Sequence, residues 1–103
     1  MNAATSNEPP LDDQLLRLYV AGQSPHSLRA VINMQRICAQ DLGGHYRLEV
    51  IDLYQQPQLA QGEQIIALPA LVKKLPAPMR MVIGDMSDTR RVLDALDLVS
   101  VLT

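Results

Sequence analysis

The chain has 103 residues and a formal net charge of −2, with 48% hydrophobic residues. That length suits one domain able to bury a core without disulfide or metal support, and the dispersed basic residues exclude a nucleic-acid-binding stripe. No apolar run is long enough to span a bilayer and no stretch has the pattern of a secretory leader, so a cytoplasmic, non-membrane protein is expected.

Residues 1–13 hold Asn, Ser, Glu, two prolines and two aspartates with little to bury, and they read as a disordered N-terminal arm ahead of a single domain over 14–103. Leu15 to Ala21 is a compact run rich in strand formers, the pattern of a buried central strand. Gly22 ends it with a turn, Ser24 can cap a helix, and Pro25 stands at the first helical position, where its missing N–H costs nothing. Helix one is expected from Pro25 to Leu42, with Leu28, Val31, Ile32, Met34, Gln35 and Cys38 inward and Arg29, Asn33, Arg36 and Gln40 outward. Gly43-Gly44 turns the chain back into a second strand, Tyr46 to Leu53, parallel to the first through a crossover.

The second half is less firmly written. Gln58 to Ala67 has the composition of a short helix, weakened by Gly62. Leu68 to Val72 reads as strand three, followed by Lys73-Lys74 as a solvated strand end. Across the Pro76-Ala77-Pro78 loop, Met79 to Gly84 pairs with it as a hairpin. The stretch Asp85-Met86-Ser87-Asp88 supplies a cap for a last helix whose apolar side is Val92, Leu93, Leu96 and Val99. Leu98 to Leu102 alternates and would serve as a strand as readily as a helix end. Phe and Trp are absent, so the core must be aliphatic.

The order βαβαββα is that of a thioredoxin-like α/β domain. In that fold the loop after strand one ordinarily carries Cys-x-x-Cys; here Ser24, Pro25, His26 and Ser27 occupy it. Pro69 stands at the head of strand three, where such folds usually keep a cis peptide bond. The single cysteine, Cys38, excludes an internal disulfide and lies mid-helix on the apolar side, which reads as an unreactive buried thiol. His26 has no nucleophile paired with it, and His45 with Cys38 matches no metal-ligand spacing. Gly43-Gly44 lacks the further glycines and the lysine of a phosphate loop. No catalytic residue, cofactor or metal is expected.

Several blocks carry a family resemblance. Leu18-Tyr19-Val20-Ala21-Gly22, Ser24-Pro25 with Ser27-Leu28-Arg29-Ala30, Val50-Ile51-Asp52, Pro57-Gln58-Leu59-Ala60 and Ile83-Gly84-Asp85-Met86-Ser87-Asp88 together resemble KaiB, the circadian clock family, over roughly residues 15–98. The resemblance implies a non-catalytic timing regulator that binds the ATPase ring of a KaiC-like hexamer and, in full oscillators, captures a KaiA-like protein. It also implies metamorphism. A resting fold, commonly an oligomer such as a dimer or tetramer, would exchange with the thioredoxin-like binding form by rebuilding the C-terminal half.

On that resemblance Arg29, Gln55, Gln56, Gln58 and Arg80 are the candidate partner contacts. Leu68, Pro69, Pro76, Pro78, Asp85, Ala95 and Asp97 are the candidates for setting the balance between folds. Gln55-Gln56 stand where clock members usually have Lys-Asn, and Ala95 where they often have glycine, which favours the helical, thioredoxin-like form by about 1 kcal/mol. Two other readings are a stand-alone KaiB-like sensor module of a histidine-kinase pathway and, in another class, a thiol oxidoreductase. The missing Cys-x-x-Cys weighs against the last.

Overall fold

A computed structural model describes residues 14–60, 65 and 67–102; the expected arm over 1–13 lies outside them. Strand β1 (Leu15–Val20) leads through a four-residue turn to helix α1 (Pro25–Arg36), and strand β2 (Arg47–Asp52) follows. Strands β3 (Ala70–Leu75) and β4 (Arg80–Ile83) form a hairpin, and helix α2 (Thr89–Ala95) follows. The four strands make one mixed sheet in the order β2-β1-β3-β4, with β1 parallel to β2 and antiparallel to β3.

The composition of β1 explains its central place. Every residue but Arg17 is buried, because the strand is paired on both edges and covered on both faces. Leu16, Leu18 and Val20 point to one face, where they form the core with Ala30, Met34, Ile37 and Cys38 from the first helix and Val92, Leu93 and Leu96 near the second. On the other face Tyr19 is fully buried, and its hydroxyl reaches the Leu59 carbonyl at 3.4 Å. Beside it Arg17 grips Glu49 across the β1–β2 pair through Nε at 3.0 Å and Nη2 at 2.9 Å.

The first strand and helix form as expected, but the helix is rotated about its axis relative to the expected face. Its buried positions are Ser27, Ala30 and Met34, continued by Ile37 and Cys38 in a π-helical turn over Ile37–Asp41. Leu28 and Ile32 are 49% and 64% exposed, Gln35 is exposed, and Val31 is half-buried. The small Ser27 and Ala30 let the helix approach the sheet closely, whereas the bulkier Leu28 and Ile32 would hold it off. Asn33, expected outward, is half-buried and donates through Nδ2 to the Asp85 carbonyl at 2.9 Å.

In the second half the expected helix over 58–67 is replaced at its start by a 3-10 turn, Pro57–Ala60; residues 61–64 and 66 lie outside the described set. Strand β3 begins two residues later than expected and runs on through the lysines. Lys73 is no solvated strand end: it is 4% exposed, in register with Leu16 on one side and Arg80 on the other. Pairing on both edges of β3 carries the strand past the point where the apolar composition stops. The C-terminal stretch is neither strand nor helix: α2 ends at Ala95, Leu98 is buried, and Val99, expected on the apolar side, is 81% exposed. Asp97, at φ 58° in the left-handed region, stops the helix and turns the chain away before Val99 can reach the core.

Candidate partner interface

The carboxyl ends of β1 and β2 and the start of α1 meet at one end of the sheet. The Ser24–Ser27 turn there is closed by hydroxyls. Ser24 Oγ accepts from the Ser27 N–H at 3.2 Å and donates to Ser27 Oγ at 2.9 Å, and Ser27 Oγ accepts from the Ala21 N–H at 3.0 Å. Where a redox fold would place two sulfurs, this chain has a strand-to-helix clamp. His26 does not touch either serine; its Nδ1 faces Arg29 Nη2 at 3.2 Å. The turn therefore holds no base-activated nucleophile.

Asp52 organises the neighbouring loop. Its Oδ1 accepts from the Gly22 N–H at 3.0 Å and the Tyr54 N–H at 2.9 Å, while its carbonyl accepts from the Gln55 and Gln56 N–H groups at 3.0 and 2.9 Å. The Leu53–Gln56 turn is thereby fastened to the Gly22 turn, and Gln55, Gln56 and Gln58 are presented to solvent beside Tyr54, which is 76% exposed. Gly22 is required here on two counts: its φ is +59°, and a Cβ would lie 3.0 Å from the Tyr54 ring.

On the far edge of the same end, the loop after β4 meets α1. Arg29 Nε donates to Asp85 Oδ2 at 3.3 Å, and Asp85 Oδ1 accepts from the Ser87 N–H at 3.1 Å. The bonds from Ser87, with the Arg29 charge behind them, hold the Asp85 carboxyl below the usual carboxylate range. Asp85 thus ties this loop to α1, and the helix cap itself is Asp88, whose side chain accepts from the Arg91 N–H. Arg36 Nη2 adds a 3.4 Å bond to Thr89 Oγ1.

The structure divides the candidate residues between two ends. Arg29, Gln55, Gln56 and Gln58 share the end just described with Asp85, Leu68 and the buried Pro69, whose carbonyl accepts from the Gly84 N–H at 3.0 Å. Arg80 opens β4 at the opposite end, next to the hairpin loop that holds Pro76 and Pro78, and Ala95 and Asp97 lie at the end of α2. The peptide bonds Leu68–Pro69, Leu75–Pro76 and Ala77–Pro78 are cis. The part that Asp52 plays in fastening the Leu53–Gln56 turn to the Gly22 turn is not read from the sequence. An aspartate closing a strand two residues before an N–H that needs an acceptor was the available signal.

Cys38 is buried in the core, and burial pushes its thiol up to about 11, so it stays protonated at neutral pH. Among the described residues no cluster of His, Cys, Asp or Glu is arranged to hold a metal ion, and no helix is long and apolar enough to cross a membrane. The open hollow along α2, lined by Asp88, Arg90, Arg91, Asp94 and Ala95, lies away from the Ser24–Ser27 turn.

These features define a thioredoxin-like domain whose redox turn has been replaced by a hydroxyl clamp. Solved structures agree on the fold. Mitochondrial thioredoxin 3 of Saccharomyces cerevisiae superposes with a TM-score of 0.68 at 15% identity, covering 93% of this chain and 100% of that one. The N-terminal domain of Synechococcus elongatus SasA superposes at 0.64 with 29% identity, covering 86% and 85%.

The KaiB domain family model matches residues 17–98, and the chain belongs to the KaiB family. It is 49% identical over 85 residues to the circadian clock protein KaiB3 of a Synechocystis species, covering 82% of this chain and 83% of that protein. It is 48% identical over 89 residues to the circadian clock oscillator protein KaiB of Prochlorococcus marinus, covering 86% and 76%.

Proposed function

We propose that this chain is a non-catalytic, cytoplasmic timing regulator that binds the ATPase ring of a KaiC-like hexamer in its thioredoxin-like form and modulates that enzyme's phosphorylation cycle. The observation that carries the reading is the near-half identity to circadian clock proteins over more than four-fifths of the chain. The hydroxyl clamp at Ser24 and Ser27 supports the non-catalytic part, because it removes the thiols on which redox members of the fold depend.

In this reading the partner meets the end of the domain formed by Arg29, Gln55, Gln56 and Gln58, with Tyr54 between them as an exposed aromatic anchor of the kind that dominates interfaces. Arg80, at the other end, belongs to a separate contact, such as one with a neighbouring copy on a ring. The thioredoxin-like form exchanges with an oligomeric resting fold, and the binding rate follows the population of the competent form. A KaiA-like protein is a further partner where one is present.

A time-resolved titration of labelled protein against the KaiC-like hexamer of the same source tests this. Saturable binding approaching one copy per ATPase subunit is expected, slow if the resting fold dominates and fast if Ala95 already favours the binding form. Absence of binding in every nucleotide and phosphorylation state would overturn the reading and favour the sensor-type module of a histidine-kinase pathway.

A further inference from the structure

On the face of the sheet that carries the core, the paired strands set their side chains in cross rows. One row runs Val50, Leu18, Leu71 and Val82 across β2, β1, β3 and β4, apolar throughout. The next row towards the start of β1 runs Leu48, Leu16, Lys73 and Arg80. Its first two places are apolar like the row before it, and its last two are cations. Residues directly opposite on paired strands share a face with their Cβ atoms about 5 Å apart, and like charges there repel.

Nothing among the described residues offsets that repulsion. Lys73 is 4% exposed, although an ammonium carries three donors that need acceptors. Neither Lys73 nor Arg80 joins an ion pair or a side-chain hydrogen bond among the described residues. Elsewhere the chain pairs its cations: Arg17 and Arg47 share Glu49, Arg29 meets Asp85, and Arg90 meets Asp94. The carboxylates at the end of α2 do not serve, because Asp94 is taken by Arg90 and Asp97 makes no ion pair among the described residues. A buried cation left without acceptors is strongly destabilising. Strand β4 is an edge of the sheet and Arg80 is exposed, so the pair is reached from solvent along that edge, with Lys73 on the inner side.

We propose that Lys73 and Arg80 form a binding site for a small doubly charged oxyanion of the inorganic phosphate type. A dianion matches the two cations in charge, and its tetrahedral oxygens offer acceptors to the ammonium on one side and to the guanidinium fork on the other. The compact lysine charge suits the buried place and the planar arginine the exposed one. The site rests on the fold alone and goes beyond the partner reading.

An NMR titration of the full-length, 15N-labelled chain with inorganic phosphate tests this, with chloride holding the ionic strength constant. Saturable shifts centred on Lys73 and Arg80 are expected in the millimolar range, and sulfate should displace phosphate. Arg80→Gln, at an exposed position, should weaken binding by about tenfold or more, the effect of one hydrogen bond to a charged group. Lys73→Met, which keeps the stem without its charge, should abolish binding without lowering stability in urea, since no pairing is lost. Arg90→Gln should bind as the wild type does. If Lys73→Met fails to fold, Arg80→Gln carries the test. Shifts that never saturate, an equal response to chloride, or wild-type affinity in Arg80→Gln would overturn the site.

Discussion

The two halves of the chain are held together in different ways. In the first, β1 is six residues long, paired over its whole length to β2, and buried on both faces by aliphatic side chains and Tyr19. In the second, a four-residue strand and a seven-residue helix are fastened to α1 by polar ties at either end. Arg29 and Asn33 reach Asp85 at one end, and Asp41 receives Ser100 and Val101 at the other. Among the described residues, the non-glycine residues at positive φ, Met86 at 63° and Asp97 at 58°, lie in the second half. The second half also packs Val82, Val92, Leu93, Leu96 and Leu98 into the same core as α1, so its polar ties act beside apolar contact rather than in place of it. On the proposed function, the rearrangement would fall in the half that carries the shorter strand and helix and the positive-φ turns.

Substitutions should separate the halves by size of effect. Leu18→Ala, at a fully buried central position, should cost about 2–5 kcal/mol in urea unfolding and melt both halves together. Cys38 gives a pH signature at their junction. Its folded thiol keeps its proton up to about 11, above the ordinary 9.0, so stability should fall as pH rises between these values. Chemical denaturation across that window should lose this slope in Cys38→Ala.

Smaller effects are expected in the second half. Asp88→Ala removes the cap of α2 and should cost about 1 kcal/mol. Ala95→Gly should cost about 0.5–1 kcal/mol and, on the proposed function, slow partner capture by moving population to the resting fold; unchanged oligomer size and binding kinetics would contradict this. Asp97→Gly should act in the opposite sense, stabilising the thioredoxin-like form by up to about 1 kcal/mol, because glycine takes the left-handed conformation without strain.

Legibility in the sequence followed the same division. The run Leu15–Val20, the Gly22 turn and the Ser24-Pro25 start are local signals, and the structure places strand, turn and cap on them. The face of α1 was misread because apolar spacing favoured Leu28 and Ile32, while close approach to the sheet favoured the small Ser27 and Ala30. Lys73 was misread because its burial comes from pairing with two strands distant in the chain, which composition does not report. The Asp85 ties to α1 were invisible for the same reason, although the helix-start chemistry around Asp88 was plain. The glutamines after β2 stand out in the sequence only through the family pattern, and the Asp52 loop that holds them at the surface is not legible there.

Native-state hydrogen exchange on the free protein tests the central claim, that the second half is a separate and weaker unit. Amides of β1 and α1 should exchange only through global unfolding, with strong dependence on denaturant. Amides of β4, α2 and Val101 should exchange through smaller openings at markedly lower free energy. Uniform protection across both halves, moving together with denaturant, would contradict it.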